Sequence, residues 1–302
     1  MKQNMSKTIK KENYFPAILK KQAKKIKPQL IIPYEYLFSN PKGVAAFNRL
    51  TESKSYWLSS DSALIIKQNK NYLANLLKDY TIVEFGGFDG SSLNDVFKSG
   101  QRFRYINIDI GKGILSMMKN NFSKLSNVKY SLIKKSFADI SFIKKIKSTR
   151  PKALLFLGNT FGNFYPKEGD QWLKKTYQLM DPGDLLIIDF DRRVSSDKHL
   201  KCYSVKECAL MLILAFEDYG MPVENLHSTF VMDKDGIHGG VTVLKDFTLD
   251  HKKFKSGDFI EVMISLKSSP VDMTKRMSRA GFKTIKQLQS DKKHMIQLIA
   301  KK

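Results

Sequence analysis

The chain is short of cysteine, arginine, acidic residues and long apolar runs, and each shortage excludes something. Its 302 residues hold two cysteines, Cys202 and Cys208, six positions apart in a stretch with helical spacing. That is neither a Cys-x-x-Cys pair nor a useful staple, so neither a disulfide framework nor a cysteine-bound metal is expected, and a cytoplasmic location is. No run of about 18 apolar residues occurs, so no membrane-spanning helix and no membrane partner are expected. The basic N-terminus lacks the apolar segment of a secretory signal. Acidic residues number 29 against 52 Lys and Arg, giving a net charge of +23. Nucleic-acid binding is one reading of that excess. However, the basic residues are overwhelmingly lysine, and the arginine fork that suits bidentate phosphate and base contacts is scarce. A solvated lysine surface is therefore the preferred reading. The densest lysine run, from Lys7 to Lys27, precedes the patterned part of the chain.

What the sequence does have is alternation. Residues 31–78 carry helical spacing, with Ile65, Ile66, Tyr72, Leu73, Leu76 and Leu77 recurring at helix-like intervals. From residue 81 strands and helices alternate. Strands are expected over 81–85, 105–110, 128–133, 153–157 and 184–190, and helices over 91–98, 114–125, 169–180 and 204–219. Such alternation predicts a parallel sheet with right-handed crossovers. Residues 221–268 break the pattern, with two strands read at 239–247 and 258–266 and no helix between them. The chain then shows a helix at 273–279, Gly281 as its cap, and two strands, 284–289 and 294–300, joined as a hairpin by Ser290-Asp-Lys-Lys293. A mostly parallel sheet ending in an antiparallel hairpin is the Rossmann-like layout of class I methyltransferases.

Two strand-to-turn junctions carry the chemistry, because open α/β sheets bind ligands at the carboxyl edge. The first is Glu84-Phe-Gly-Gly-Phe-Asp-Gly90. Its glycines Gly86, Gly87 and Gly90 allow close approach of backbone to ligand. It is not a Gly-x-Gly-x-x-Gly and has no P-loop lysine, so no pyrophosphate cradle is indicated. About 20 residues on, Asp109 ends the second strand, placed to accept both hydroxyls of a ribose. Phe137, after the third strand, can pack on an adenine face. Ribose and adenine without phosphate point to S-adenosylmethionine. The second junction is Phe156-Leu-Gly-Asn-Thr-Phe-Gly-Asn163, with Asn159 on the cofactor side and Asn163 at its end.

On these residues the chain resembles the histidine-specific methyltransferase family of the ergothioneine pathway, over roughly residues 31–302. Phe156–Phe164 is very close to the family's second turn. Gly43–Thr51 with Tyr56-Trp57 is similar to its upstream segment, Glu84 and Gly86 match its cofactor turn, and Asp191, Tyr203, Gly257, Ser265 and Lys267 fall in register with it. The resemblance implies that Asn163 and Tyr203 grip a substrate α-carboxylate, that Met263 and Ser265 line the substrate, and that Tyr36 stands near the substrate amine. It also shows departures. Phe88 replaces a glycine of the cofactor turn, Ser136-Phe137 replaces an aspartate-phenylalanine pair, and Ser60-Asp61-Ser62 replaces an arginine-threonine-glutamate segment. Met263 replaces the glutamate that reads the imidazole, and a methionine cannot accept a strong hydrogen bond from a ring N–H, which would cost a histidine site on the order of 1–3 kcal/mol.

The expectation is an S-adenosylmethionine-dependent N-methyltransferase of an amino acid or small amine other than histidine, acting as a monomer without a metal. An RNA or protein methyltransferase using the basic surface and a non-catalytic binding relative are the alternatives. The expected domains are a basic extension (1–30), a helical cap contributing to a substrate-binding lobe (31–80), a methyltransferase core (81–220), a lobe insertion (221–268) and the end of the core (269–302).

Overall fold

The computed structural model describes residues 18–21, 27–111 and 113–302. The lysine-rich extension thus lies largely outside the described residues. In chain order the elements are β1 (Ile18–Lys21), β2 (Leu30–Ile31), α1 (Pro41–Glu52), α2 (Trp57–Gln68), α3 (Lys70–Leu77), β3 (Thr81–Phe85), α4 (Asn94–Phe97), β4 (Phe103–Asp109), α5 (Ile114–Phe122), β5 (Val128–Lys134), β6 (Lys152–Phe156), α6 (Pro166–Leu179), β7 (Leu185–Asp191), α7 (Ser196–Tyr203) and α8 (Lys206–Asp218). They continue with β8 (Leu226–Met232), β9 (Gly236–Val243), β10 (Phe247–Leu249), β11 (Lys252–Phe254), β12 (Phe259–Leu266), α9 (Pro270–Arg279), β13 (Lys283–Gln289) and β14 (Met295–Lys301). The chain divides into two compact units, one of residues 51–195 with 264–302, the other of residues 1–50 with 196–263.

The first unit holds a seven-stranded sheet in the order β13-β14-β7-β6-β3-β4-β5. Strands β3 to β7 pair in parallel, and β14 runs antiparallel between β7 and β13. Every residue of β3, β6 and β7 is buried, as required of parallel strands covered on both faces. The covering helices are amphipathic: α6 buries Gly169, Trp172, Leu173 and Thr176 at intervals of three and four. Trp172 enters an aromatic cluster with Phe85, Phe156, Phe161 and Phe164, its ring 4.5 Å from that of Phe156 in edge-to-face contact. Rings offset in this way contribute about 0.5–1.5 kcal/mol per pair beyond the area they bury.

The other unit is built on a five-stranded sheet in the order β1-β8-β9-β12-β2, with β8 and β9 antiparallel. Its helix α8 buries residues all round, including Cys208, Met211, Leu212, Leu214 and Phe216. Both cysteines are free thiols. A buried imidazole, His238, sits 3.1 Å from Asp233 and 3.1 Å from Glu261, tying the β8–β9 turn to β12.

Two features differ from the sequence expectation. The helix read over 204–219 is α8, which starts at Lys206 because Val205 is extended (φ −108°, ψ 147°), and a further helix, α7, precedes it over residues read without one, its end marked by the Ser204 hydroxyl donating back to Leu200 O. The segment 221–268 carries β8 to β12 rather than two strands. Glycines Gly236, Gly239 and Gly240 weaken the strand signal of β9. Gly240 is required there, since a Cβ would lie 2.0 Å from Ile260 O. The divisions between the two units fall at residues 50, 195 and 263. Periodicity gives α2 and α3 an apolar face but not the sheet that covers it.

Candidate active site

The site is assembled where β3, β4, β6 and β7 end. After β3 the chain turns through Gly86 (φ +64°), Phe88 (φ +49°) and Gly90 (φ +75°). Two strand-end side chains hold the middle of that turn. The Phe88 N–H donates to Asp109 Oδ2 at 3.1 Å, and Asn107 Nδ2 donates to Phe88 O at 2.5 Å. Phe88 therefore keeps the left-handed backbone that a glycine adopts without strain, fixed at both its amide and its carbonyl. Asp109 also accepts the Gly111 N–H at 2.8 Å, and burial raises its carboxyl above the usual range.

Glu84 is 1 % exposed at the floor of the turn. It accepts hydroxyl hydrogen bonds from Ser92 and Tyr105, each at 2.7 Å. Burial outweighs these bonds and pushes its carboxyl up to about 7. Gly87 packs over this group so closely that a Cβ would meet Glu84 Cδ and Tyr105 Oη at 2.8 Å and Asn107 Oδ1 at 2.9 Å. Asn107 Oδ1 is buried with no hydrogen-bond partner among the described residues. A glycine-lined cradle, a strand-end carboxylate with lone pairs to spare and a buried unsatisfied acceptor fit a ligand rich in hydroxyl and amine donors. That set fits S-adenosylmethionine.

The second junction begins after β6. Asn159 (φ +62°) is 2 % exposed, and its side chain links three strands. It donates to Ser265 Oγ at 3.0 Å and accepts the Asp191 N–H at 3.1 Å. The Gly158 and Asn159 N–H groups donate to Asp189, which also accepts the Ser62 hydroxyl. Burial pushes the Asp189 carboxyl up to about 6. Asp191 pairs with the fully buried Lys267 at 2.7 Å and accepts the Trp57 indole N–H at 3.2 Å. Lys267 also donates to Ser265 Oγ at 2.9 Å. Ser265 thus accepts hydrogen bonds from both Asn159 and Lys267.

The first unit therefore brings together Glu84, Gly86, Gly87, Gly90, Asp109, Asn159 and Ser265. Asn163 closes the short helix Thr160–Asn163 after Asn159 and is half-buried. Phe137 packs edge-on against Phe156 and Phe164 at the rim of the aromatic cluster. In the other unit, Tyr203 lies 5.7 Å from the Phe230 ring. Met263 Cγ and Phe230 Cε1 flank the bare α-carbon of Gly239, 2.7 and 3.1 Å from where its Cβ would stand. Tyr203 and Met263 thus share Phe230 as a neighbour. Tyr36 lies edge-on to Tyr219 at 5.2 Å. Sequence reasoning missed Asn107, Tyr105 and Ser92. Asn107 was within reach, because it lies two residues before Asp109 and so on the same face of β4.

The sheet order, the terminal antiparallel strand and the glycine turn facing Asp109 define a class I S-adenosylmethionine-dependent methyltransferase. A family model described as histidine-specific methyltransferase, SAM-dependent, matches residues 17–210, and the chain belongs to that family. It is 22 % identical over 162 residues to ergothioneine biosynthesis protein 1 of Neurospora crassa, covering 51 % of this chain but only 18 % of that relative's length. Among solved structures, the fold is similar to one from Thermobifida fusca YX classed with the methyltransferases (TM-score 0.50, 10 % identity, 89 % of this chain and 92 % of that one). It is similar also to mitomycin 7-O-methyltransferase (TM-score 0.50, 10 % identity, 90 % of this chain and 61 % of that one). Among the described residues, no helix is long and apolar enough to cross a membrane.

Proposed function

We propose that the protein transfers a methyl group from S-adenosylmethionine to the nitrogen of an amino acid or small amine other than histidine. One observation carries the reading. The position at which the family resemblance expects a glutamate to read the imidazole is Met263, whose side chain lies over Gly239 against Phe230 and whose thioether is only a weak acceptor for a ring N–H. A substrate side chain of apolar or aromatic character suits that surface.

The sulfonium supplies an activated methyl group for in-line displacement, so the protein's task is alignment and exclusion of water. In this reading Asp109 accepts the ribose hydroxyls, Gly86, Gly87 and Gly90 admit the cofactor backbone, Glu84 and Asn159 brace the turns beneath it, and Phe137 borders the adenine. Asn163 through its amide and Tyr203 through its hydroxyl donate to the substrate carboxylate. Ser265 donates to an acceptor on the substrate, and Tyr36 takes up the amine proton.

Calorimetric titration with S-adenosylhomocysteine, repeated with a panel of free amino acids, tests the proposal. Micromolar binding that tightens with an apolar or aromatic amino acid and not with histidine is the expected outcome. Tightening with histidine alone would overturn the substrate assignment, and no binding in any mixture would overturn the activity.

A further inference from the structure

The charge of this chain is unevenly distributed. Between residues 110 and 166 the sequence holds eleven basic residues and one acidic, Asp139. Between residues 196 and 263 it holds eight basic and eleven acidic. A uniform preference for lysine along the chain would act on both stretches alike and does not explain the contrast.

The basic stretch occupies one place in the fold. Strand β5 is the edge of the seven-stranded sheet, α5 precedes it, and the connection through the short helix Ser141–Lys145 leads from it back to β6. Phe122 of α5 stacks on Tyr130 of β5 at 4.7 Å, and Arg104 of β4 donates to Lys147 O at 3.1 Å, so these segments wrap a single margin. Lys119, Lys124, Lys129, Lys134, Lys144 and Lys147 are all exposed along it. Among the described lysines of the stretch, Lys135 pairs with Asp139 at 3.4 Å, and Lys152, buried in β6 away from this margin, pairs with Asp181 and Asp184 at 2.6 and 3.1 Å. An unpaired sheet edge gains protection from a lysine or two on the strand itself, but that role does not call for those on α5 or on the 141–147 connection.

We propose that this margin is a docking surface for the phosphate backbone of a nucleic acid, bound without regard to sequence. Lys129 and Lys134 lie five residues apart on β5, about 16 Å, on opposite faces of the strand, so a backbone that runs along this free edge of the sheet meets one from each side. Ammonium groups on flexible stems contact phosphates as point charges, whereas base readout calls for planar, bidentate donors. Arg104 and Arg150 are committed to backbone carbonyls, of Lys147 and Lys78. Lys134 pairs in register with Asp109, so the surface extends to the carboxyl edge of the sheet.

The test is fluorescence anisotropy of the full chain with labelled RNA of about 20 nucleotides, in two unrelated sequences, between about 50 and 200 mM salt. A fourfold variant, Lys129→Glu, Lys134→Glu, Lys144→Glu and Lys147→Glu, is compared with a control at four exposed lysines of the other unit, Lys198→Glu, Lys201→Glu, Lys234→Glu and Lys245→Glu. Both carry the same net charge, and unchanged thermal unfolding shows that each is folded. The expected result is binding indifferent to sequence, weakened at least about tenfold in the margin variant and much less in the control, with a salt slope shallower by about 3 for four lost phosphate contacts. Equal weakening in both variants, binding to phosphatidylserine vesicles but not RNA, or no RNA binding at low salt would each overturn the proposal.

Discussion

At the scale of the residue, the cofactor turn depends on what is absent from Gly87. A methyl group there meets the Glu84 carboxyl, the Tyr105 hydroxyl and the Asn107 amide oxygen, all held by other bonds or by packing. Gly87→Ala is expected to cost about 1–3 kcal/mol in urea unfolding and to weaken S-adenosylhomocysteine binding in calorimetry. Glu84 also makes a pH signature. Its folded carboxyl stands at about 7 against an ordinary 4.5, so the folded state holds a proton that the unfolded state has released. Stability contributed by this group is present below pH 4.5 and lost as pH rises to 7, by an amount on the order of 3 kcal/mol. Denaturation midpoints at pH 5, 6 and 7 should fall more steeply in the wild type than in Glu84→Gln; parallel slopes would rule out this account. The sequence shows the glycines and Asp109 because turn and ribose chemistry tie them to residue type. It does not show the raised carboxyl, which depends on the burial that the surrounding sheet imposes on Glu84.

At the scale of the element, α2 is fastened to the terminal hairpin by one carboxylate. Asp61 accepts the Ser290 hydroxyl on one oxygen and the His294 and Met295 N–H groups at 2.9 and 2.8 Å on the other. Trp57, one turn earlier, stacks on His294 at 4.8 Å. Asp61→Ala leaves three donors at a buried junction and is expected to lower stability by about 3 kcal/mol or more, with Asp61→Asn in between. Equal midpoints for Asp61→Ala and the wild type in guanidinium would refute this fastening. In sequence, Ser60-Asp61-Ser62 stands out only as a departure from the family pattern. The structure gives Asp61 and Ser62 fixed partners, the hairpin turn and Asp189, more than a hundred residues distant, and no local pattern announces such pairings. Strands β3, β6 and β7 were legible because full burial leaves continuous apolar runs. Strand β9 was read only in part, because Gly236, Gly239 and Gly240 interrupt it, and β10 and β11 were missed because they are three residues long with half-exposed positions.

At the scale of the whole molecule, strand order governs stability. Strand β14 lies inside its sheet, paired to β7 along seven residues and to β13 on the other side. A chain ended at His294 loses a central strand and exposes the edge of β7, where Leu186, Ile188 and Phe190 are buried. Such a truncation is expected to lose cooperative thermal unfolding and to aggregate, as read by circular dichroism and size exclusion; a monomeric, cooperatively melting product would contradict it. The hairpin itself was visible in the sequence through its turn, but the insertion of its second strand between the first and β7 is a matter of topology that spacing does not encode. The same arrangement has a consequence for synthesis. A ribosome delivers β7 more than a hundred residues before the strand that covers its free side, and the last residues of β14 must leave the exit tunnel before that pairing can close. Until then the exposed margin of β7 is open to chaperones or to a neighbouring nascent chain, so the speed of late elongation bears on the yield of folded protein.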